Sequence, residues 1–410
     1  MASSAAGRLR PWAYLAVATV AQMSTAFISL GVASLIPFLV HPLKLTAAEV
    51  GLTGGAVNVG MIALALPAGY LADRYGEKKV LAAGCILAGL SVMAASLMQV
   101  FPGLYVVLLL TGLWAGSVTP AGSKLVISWF SPRSLGFAQS VRQTGVTLGG
   151  FLAALLLPAL ALRAGWHAAF LLAGLGGVLG GLLVGLFYRQ APARGSRPAQ
   201  TGADGWRALS ATLLDRDLWL TCLTGMIFVG GQFILLSYLQ LFLQSRVLVP
   251  AQWTARYLAA LILAGAVGRL FWGSVSDRWF AGRRKPALLG AGGVTVVMSL
   301  AMLLLRPATP LFWLFVLIVV LGFAGLGWNG VYVTLLSELG AARKKAATAV
   351  GVGISVMQLG VLVLPPFFGY LVDLSRGYND SWLFMAGITV LGMVCAGSVR
   401  EKGRTVGPGY

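Results

Sequence analysis

Gly69-Tyr70-Leu71-Ala72-Asp73-Arg74-Tyr75-Gly76-Glu77-Lys78-Lys79 closes one long apolar segment and opens the next. A looser copy stands about half a chain later, as Gly273-Ser274-Val275-Ser276-Asp277-Arg278-Trp279-Phe280-Ala281-Gly282-Arg283-Arg284-Lys285. A charged loop repeated at matching places marks an internal duplication. Since both copies are flanked by apolar runs, the repeated unit reads as a bundle of membrane helices with the same charged hinge in each half.

Composition points the same way. Of 410 residues 58% are hydrophobic and only 10% charged, with 54 glycines and a mean hydropathy of +0.86. These values exclude a soluble globular domain and make the lipid bilayer the solvent for most of the chain. The formal net charge of +19 would suggest a polyanion partner in a soluble protein. Here Lys and Arg fall in short loops, where they set orientation, so no nucleic acid is expected. Cys85, Cys222 and Cys395 lie in separate apolar segments with no CxxC pair, and read as small buried hydrophobes. Neither a metal site nor a cofactor is expected. The apolar run from Trp12 to Val40 follows Arg8 and Arg10 but is too long for a signal peptide, so it reads as the first membrane span.

A span needs about 20 apolar residues. On that rule twelve fit, near 12–36, 48–72, 79–99, 103–130, 134–162, 166–188, 217–244, 254–276, 286–305, 309–337, 346–373 and 380–399. The expectation is an all-α membrane protein with an N-terminal six-helix half at 1–188, a polar linker at 189–216 and a C-terminal six-helix half at 217–410. Arg74, Lys78, Lys79, Arg133, Arg283, Arg284, Lys285, Arg343, Lys344 and Lys345 all fall in loops on one side. That bias puts both termini and the linker in the cytoplasm, for a multi-pass monomer of the cytoplasmic (inner) membrane.

The repeat extends beyond the hinge. Trp129-Phe130-Ser131-Pro132-Arg133-Ser134-Leu135-Gly136-Phe137-Ala138 joins spans 4 and 5, and Glu338 to Thr348, with Arg343-Lys344-Lys345, joins spans 10 and 11. On both hinges and these loops the chain resembles the major facilitator superfamily over essentially its whole length. The resemblance implies two six-helix halves that rock about a central cavity, the plan of a secondary transporter. It also implies Gly69, Asp73, Arg74, Gly273, Asp277, Arg278, Glu338 and Arg343 as gating or latch residues, with helix capping alone as the plainer reading. An intramembrane enzyme is not indicated: His41 and His167 sit at outer span ends, and no HExxH motif or deep carboxylate pair is present.

Within that superfamily the chain departs from the proton-coupled drug exporters. Their fifth span reads Gly-Pro-x-x-Gly-Gly, against Gly145-Val146-Thr147-Leu148-Gly149-Gly150 here, and their fourth-span Arg is replaced by Leu108. Export of drugs or other hydrophobic compounds is therefore the alternative reading, not the main one.

Ionisable residues inside lipid are costly, which makes them the default functional candidates. Three cations qualify: Lys124 in span 4, Arg142 in span 5 and Arg269 in span 8. Helix rise places them roughly 9, 13 and 12 Å from the cytoplasmic ends of their spans. Glu49, Asp73, Asp277, Glu338 and Asp373 all read as lying near span ends, so a small anionic substrate is the expected partner of the three. Snorkelling for Lys124, local satisfaction for Arg142 and packing for Arg269 are the plainer alternatives. Arg269-x-x-x-Gly273-x-x-x-Asp277 is similar to span 8 of the monocarboxylate and oxalate:formate carriers, which implies an Arg on the substrate carboxylate. Pro120-Ala121-Gly122-Ser123-Lys124 is similar to the anion:cation symporter family, which implies a substrate-binding role for Lys124. Gly265 stands where the monocarboxylate carriers have Asp, and the span 11 lysine of the oxalate carriers is missing. Gln22, Gln232, Tyr238, Trp328, Asn329 and Tyr332, on spans 1, 7 and 10, complete the candidate site. With no carboxylate or His read beside the cations, exchange against a counter-anion is expected to outpace net uptake, any proton dependence following substrate or Lys124.

Overall fold

A computed structural model describes residues 2–190, 213–307, 309–341 and 345–401. Among these the regular elements are all helical: α1 (Ala2–Val40), α2 (Ala47–Tyr75), α3 (Glu77–Ala95), α4 (Phe101–Ala115), α5 (Val118–Trp129) and α6 (Leu135–Phe187) in the first part of the chain. There follow α7 (Arg216–Ser245), α8 (Ala251–Arg278), α9 (Lys285–Ala301) with a 3-10 turn at Met302–Leu304, α10 (Leu311–Gly325), α11 (Asn329–Ala341), α12 (Ala346–Ser375) and α13 (Asn379–Ser398).

Eleven described stretches are long and apolar enough to cross a membrane. The 53 residues of α6 hold two of the expected spans, because the helix breaks at Gly165, whose φ of 81° is open to glycine without cost. Twelve spans result, as in the sequence reading. Spans 4 and 10 each consist of two helices, α4–α5 and α10–α11, interrupted at Gly116-Ser117 and at Leu326-Gly327-Trp328. Hydropathy does not register these breaks, since the interrupting residues are small or apolar.

Local chemistry sets the helix starts. Thr46 and Glu49 form a reciprocal cap at α2, with Glu49 N–H donating to Thr46 Oγ1 at 3.3 Å and Thr46 N–H to Glu49 Oε2 at 2.8 Å. Gly76, at a φ of 94°, ends α2 and turns the chain into α3. Along the helices large apolar side chains such as Leu155, Leu186 and Phe312 stay exposed, as lipid-facing residues do. His41 and His167 are exposed, and Cys85 and Cys222 are buried thiols.

The chain divides into two compact units. The first comprises Met1–Ser131, Ala138–Leu214 and Leu336–Gln358; the second comprises Pro132–Phe137, Asp215–Leu335 and Leu359–Tyr410. Ile28, Leu35, Leu104, Leu157 and Phe170 centre the apolar core of the first. Leu239, Phe242, Leu314, Phe368 and Trp382 centre that of the second.

The duplication read in sequence recurs as a duplication of packing. In the first unit α4 lies so close to α2 that a Cβ on Gly112 would come within 2.7 Å of Val57 Cα; in the second, a Cβ on Gly322 would come within 2.8 Å of Leu261 Cα. Such approaches let backbones touch where no hydrophobic drive separates protein from lipid. The first unit also holds an antiparallel seam between α2 and the start of α12. Gly69 faces Thr348, Gly351 faces Ala65, Ser355 Oγ donates to Ile62 O at 3.0 Å and Gln358 Nε2 to Asn58 Oδ1 at 3.2 Å. The rungs recur once per turn, so one face of each helix is committed to the other.

Candidate functional site

Each hinge aspartate caps the start of a distant helix. Asp73 accepts from Ala347 N–H at 3.3 Å, Thr348 N–H at 2.8 Å and Thr348 Oγ1–H at 2.7 Å, in the first turn of α12. Asp277 accepts from Gly136 N–H at 3.2 Å and Phe137 N–H at 2.7 Å, in the first turn of α6. The first amides of a helix lack intrahelical partners and carry the positive end of its dipole, so a carboxylate is well matched there. Gly136 is required at its place, because a Cβ would fall 2.8 Å from Asp277 Oδ1.

The cations beside these carboxylates differ from the sequence reading. Asp277 pairs with Arg284, whose side chain is fully buried, and not with its neighbour Arg278, which is exposed. Arg74 is likewise exposed and reaches the hydroxyl of Tyr70 at 3.4 Å. Adjacent residues on a helix point about 100° apart, so an Asp turned inward leaves the following Arg outside. Gly273 is buried, Glu338 is half-buried on α11, and Arg343 lies outside the described residues.

Lys124 requires a correction. Sequence depth presented it as a cation without a carboxylate, yet its Nζ lies 3.5 Å from Asp73 and 4.0 Å from Glu77, and donates to Ala72 O at 2.7 Å. Glu77 in turn accepts from Tyr188 O–H at 2.7 Å and Gln190 Nε2 at 3.4 Å, and Trp129 Nε1 donates to Tyr188 Oη at 3.3 Å. Counting rise along one span gives depth but not which neighbour stands at that depth; α5 runs beside the turn from α2 into α3, where Asp73 lies near the end of one helix and Glu77 starts the next.

Arg142 is fully buried in the first unit. Its Nε donates to Gln139 Oε1 at 3.1 Å, Nη1 to Gln22 Oε1 at 2.5 Å and Nη2 to Ser123 Oγ at 3.0 Å. Gln139 Nε2 bonds Ser123 O at 3.2 Å, and Thr119 Oγ1 bonds Gln22 Oε1 at 3.4 Å, so the oxygens themselves are held in place. These acceptors are all neutral, and among the described residues no ion pair forms with Arg142. Gln22 was read from sequence. Ser123 and Gln139 were not, although Gln139 stands one helical turn before Arg142.

In the second unit the break between α10 and α11 exposes a carbonyl. Leu326 O accepts from Arg269 Nε at 3.2 Å and from Asn329 Nδ2 at 3.3 Å, and Asn329 Nδ2 also bonds Gln232 Oε1 at 2.9 Å. Arg269, Gln232 and Asn329, chosen separately from sequence, thus form one cluster, with Arg269 only 5% exposed. Gln232 also borders a small cavity with Phe228, Thr295, Trp328, Met385 and Thr389. Trp328 and Tyr332 are buried in edge contact, centroids 5.3 Å apart. Tyr238 stands away from this group, against Phe368 at 5.0 Å and beside Gly369. Among the described residues no three His, Cys, Asp or Glu side chains gather as a metal would need.

A family model described as Major Facilitator Superfamily matches residues 16–355 and 253–407. The chain is 24% identical over 381 residues to the "Probable sulfoacetate transporter" of Cupriavidus necator, covering 88% of this chain and 87% of that one. It is 29% identical over 336 residues to the 3-(3-hydroxy-phenyl)propionate transporter of Escherichia coli, covering 80% and 79%. The crystal structure of the transporter FucP in the outward conformation matches with a TM-score of 0.73 at 17% identity, over 93% of this chain and 98% of that one, a likeness of fold.

Proposed function

The chain belongs to the major facilitator superfamily, a multi-pass membrane secondary transporter, and on that premise we propose that its cargo is a small organic anion, carboxylates foremost, moved across the cytoplasmic membrane by alternating access. The observation that carries the reading is Arg142: a guanidinium withdrawn wholly from solvent, held only by neutral oxygens, deep in an apolar helix. A buried cation without a counter-charge is expensive, and an arriving anion offsets that cost. Arg269 offers the same planar fork in the second unit, with Gln232 and Asn329 beside it as neutral donors for hydroxyl or carboxylate oxygens. The two transporter relatives are named for sulfoacetate and for a hydroxyphenylpropionate, both small organic acids.

Alternating access needs links that form and break. Asp73 and Asp277 supply them as latch residues, since each ties the end of one hinge helix to the first amides of a helix remote in sequence. Lys124 belongs to the first latch rather than to the cargo. The test is counterflow of radiolabelled sulfonated, aliphatic and aromatic carboxylates in proteoliposomes, beside hydrophobic cations. Accumulation of an organic anion that needs both Arg142 and Arg269 supports the reading; movement of cations alone, or anion counterflow that survives Arg142→Ala and Arg269→Ala, overturns it.

A further inference from the structure

We propose that Glu401, just past the last span, is a positioning residue for the second latch: by holding the main chain at Arg284 it sets the guanidinium that engages Asp277. This rests on the latch reading of Asp277 given above.

The two hinges obtain their cation by different routes. At the first, Lys124 comes from α5. The matching places in α11 are Thr334 and Leu335, neither charged, so span 10 has no cation to lend. The second hinge draws one from its own loop, and the extra residues between Arg278 and the basic cluster make that possible. Ala281 and Gly282 both adopt left-handed backbone, at φ of 51° and 81°, a conformation that Ala enters only at a cost. Gly282 N–H donates to Ser276 O at 2.9 Å, and Ser276 Oγ donates to Arg283 O at 3.1 Å. The loop therefore folds back on the end of α8. Arg284 then points inward to Asp277, to Ser276 Oγ at 2.9 Å and to Pro132 O at 3.3 Å.

Something must hold that returning loop. No side chain of α9 caps its own start. Glu401 Oε1 does so from the other end of the chain, accepting from Arg284 N–H at 2.6 Å and Lys285 N–H at 2.9 Å, while Lys285 Nζ donates to Val399 O at 3.1 Å. A charged acceptor on two helix-start amides is among the stronger hydrogen-bond arrangements. The first half ties the same two places together with the roles exchanged: the carboxylate is Glu77 on the first residue of α3, and the donors Tyr188 and Gln190 follow the sixth span. In the second half the acid sits on the far segment, which is why it reaches the amide of the latch arginine itself.

Loss of Glu401 should therefore loosen the second latch and spare the first. The test uses the full chain in inside-out membrane vesicles, with Cys85, Cys222 and Cys395 changed to Ser and one reporter cysteine introduced. Leu135→Cys reports the second latch and Ala346→Cys the first; both positions are buried. A membrane-impermeant maleimide should label Leu135→Cys several-fold faster when Glu401→Ala is added, and Ala346→Cys at an unchanged rate. Glu401→Gln, which keeps an acceptor oxygen, should restore most of the protection. Asp277→Asn should expose Leu135→Cys by itself, and adding Glu401→Ala to it should give no further increase. Unchanged labelling of Leu135→Cys in both Glu401 variants, equal rises at both reporters, or an increase additive with Asp277→Asn would overturn the assignment. If Asp277→Asn leaves Leu135→Cys protected, the latch reading falls first and takes this one with it.

Discussion

A guanidinium inside lipid has to find its acceptors nearby, and Arg142 and Arg269 find different ones. Arg142 takes a glutamine, a second glutamine and a serine from three helices, and Arg269 takes a carbonyl left over at a helix break. Lysine keeps the charge, but its three donors radiate from one nitrogen and do not match acceptors set one at each nitrogen of a planar guanidinium. Arg142→Lys should therefore lower anion affinity by about 1.5 to 3 kcal/mol, the range for a hydrogen bond to a charged group, while the protein still inserts. Binding titration in detergent checks it, and an unchanged dissociation constant would separate Arg142 from the cargo. Arg269→Lys should behave alike. Which side chains would be polar and deep was legible in sequence; that Lys124 belongs with Asp73 and Glu77 was not, because ion pairs across helices depend on which faces meet.

Helices carry the next level of argument. A carboxylate at a helix start contributes about 0.5 to 2 kcal/mol, and here that helix start belongs to a different part of the chain. Asp73→Asn should shift the resting population toward the form in which α2 and α12 are apart, raising maleimide labelling of Ala346→Cys without abolishing anion binding. Equal labelling with normal transport would leave Asp73 as a cap and nothing more. The glycine contacts make a separate prediction. Gly112→Val and Gly322→Val each force a side chain into backbone that is already touching, so each should destabilise by about 1 to 3 kcal/mol, read as a lowered melting temperature in detergent. Gly387→Val, at a glycine with open space around it, serves as the control and should melt near the parent.

Over the whole molecule, the buried Arg142 guanidinium, held by neutral oxygens, leaves the carrier with positive charge in low dielectric when no anion is bound, so crossing without an anion should be slower than crossing with one. Uptake of labelled anion into liposomes preloaded with unlabelled anion should therefore exceed uptake into empty ones, across about pH 5 to 8, a window that brackets the unperturbed imidazole and lies above the unperturbed carboxylates. Equal rates would mean that a coupling group discharges the empty site. The nearest acids to test then are Asp73 and Glu77, brought to Lys124 by the fold, and Glu77→Gln is the variant to compare. Sequence alone determined the membrane class, the twelve spans, the duplication and both hinges, because a span announces itself by its length of apolar residues and a repeat by its spacing. The broken fourth and tenth spans, the exchange of Arg278 for Arg284, and the gathering of Gln22, Ser123, Gln139 and Arg142 into one network were decided only by tertiary structure. Helix breaks made of small apolar residues leave hydropathy unchanged. The partner of a buried charge is chosen by the rotation and close approach of whole helices, which no local pattern encodes.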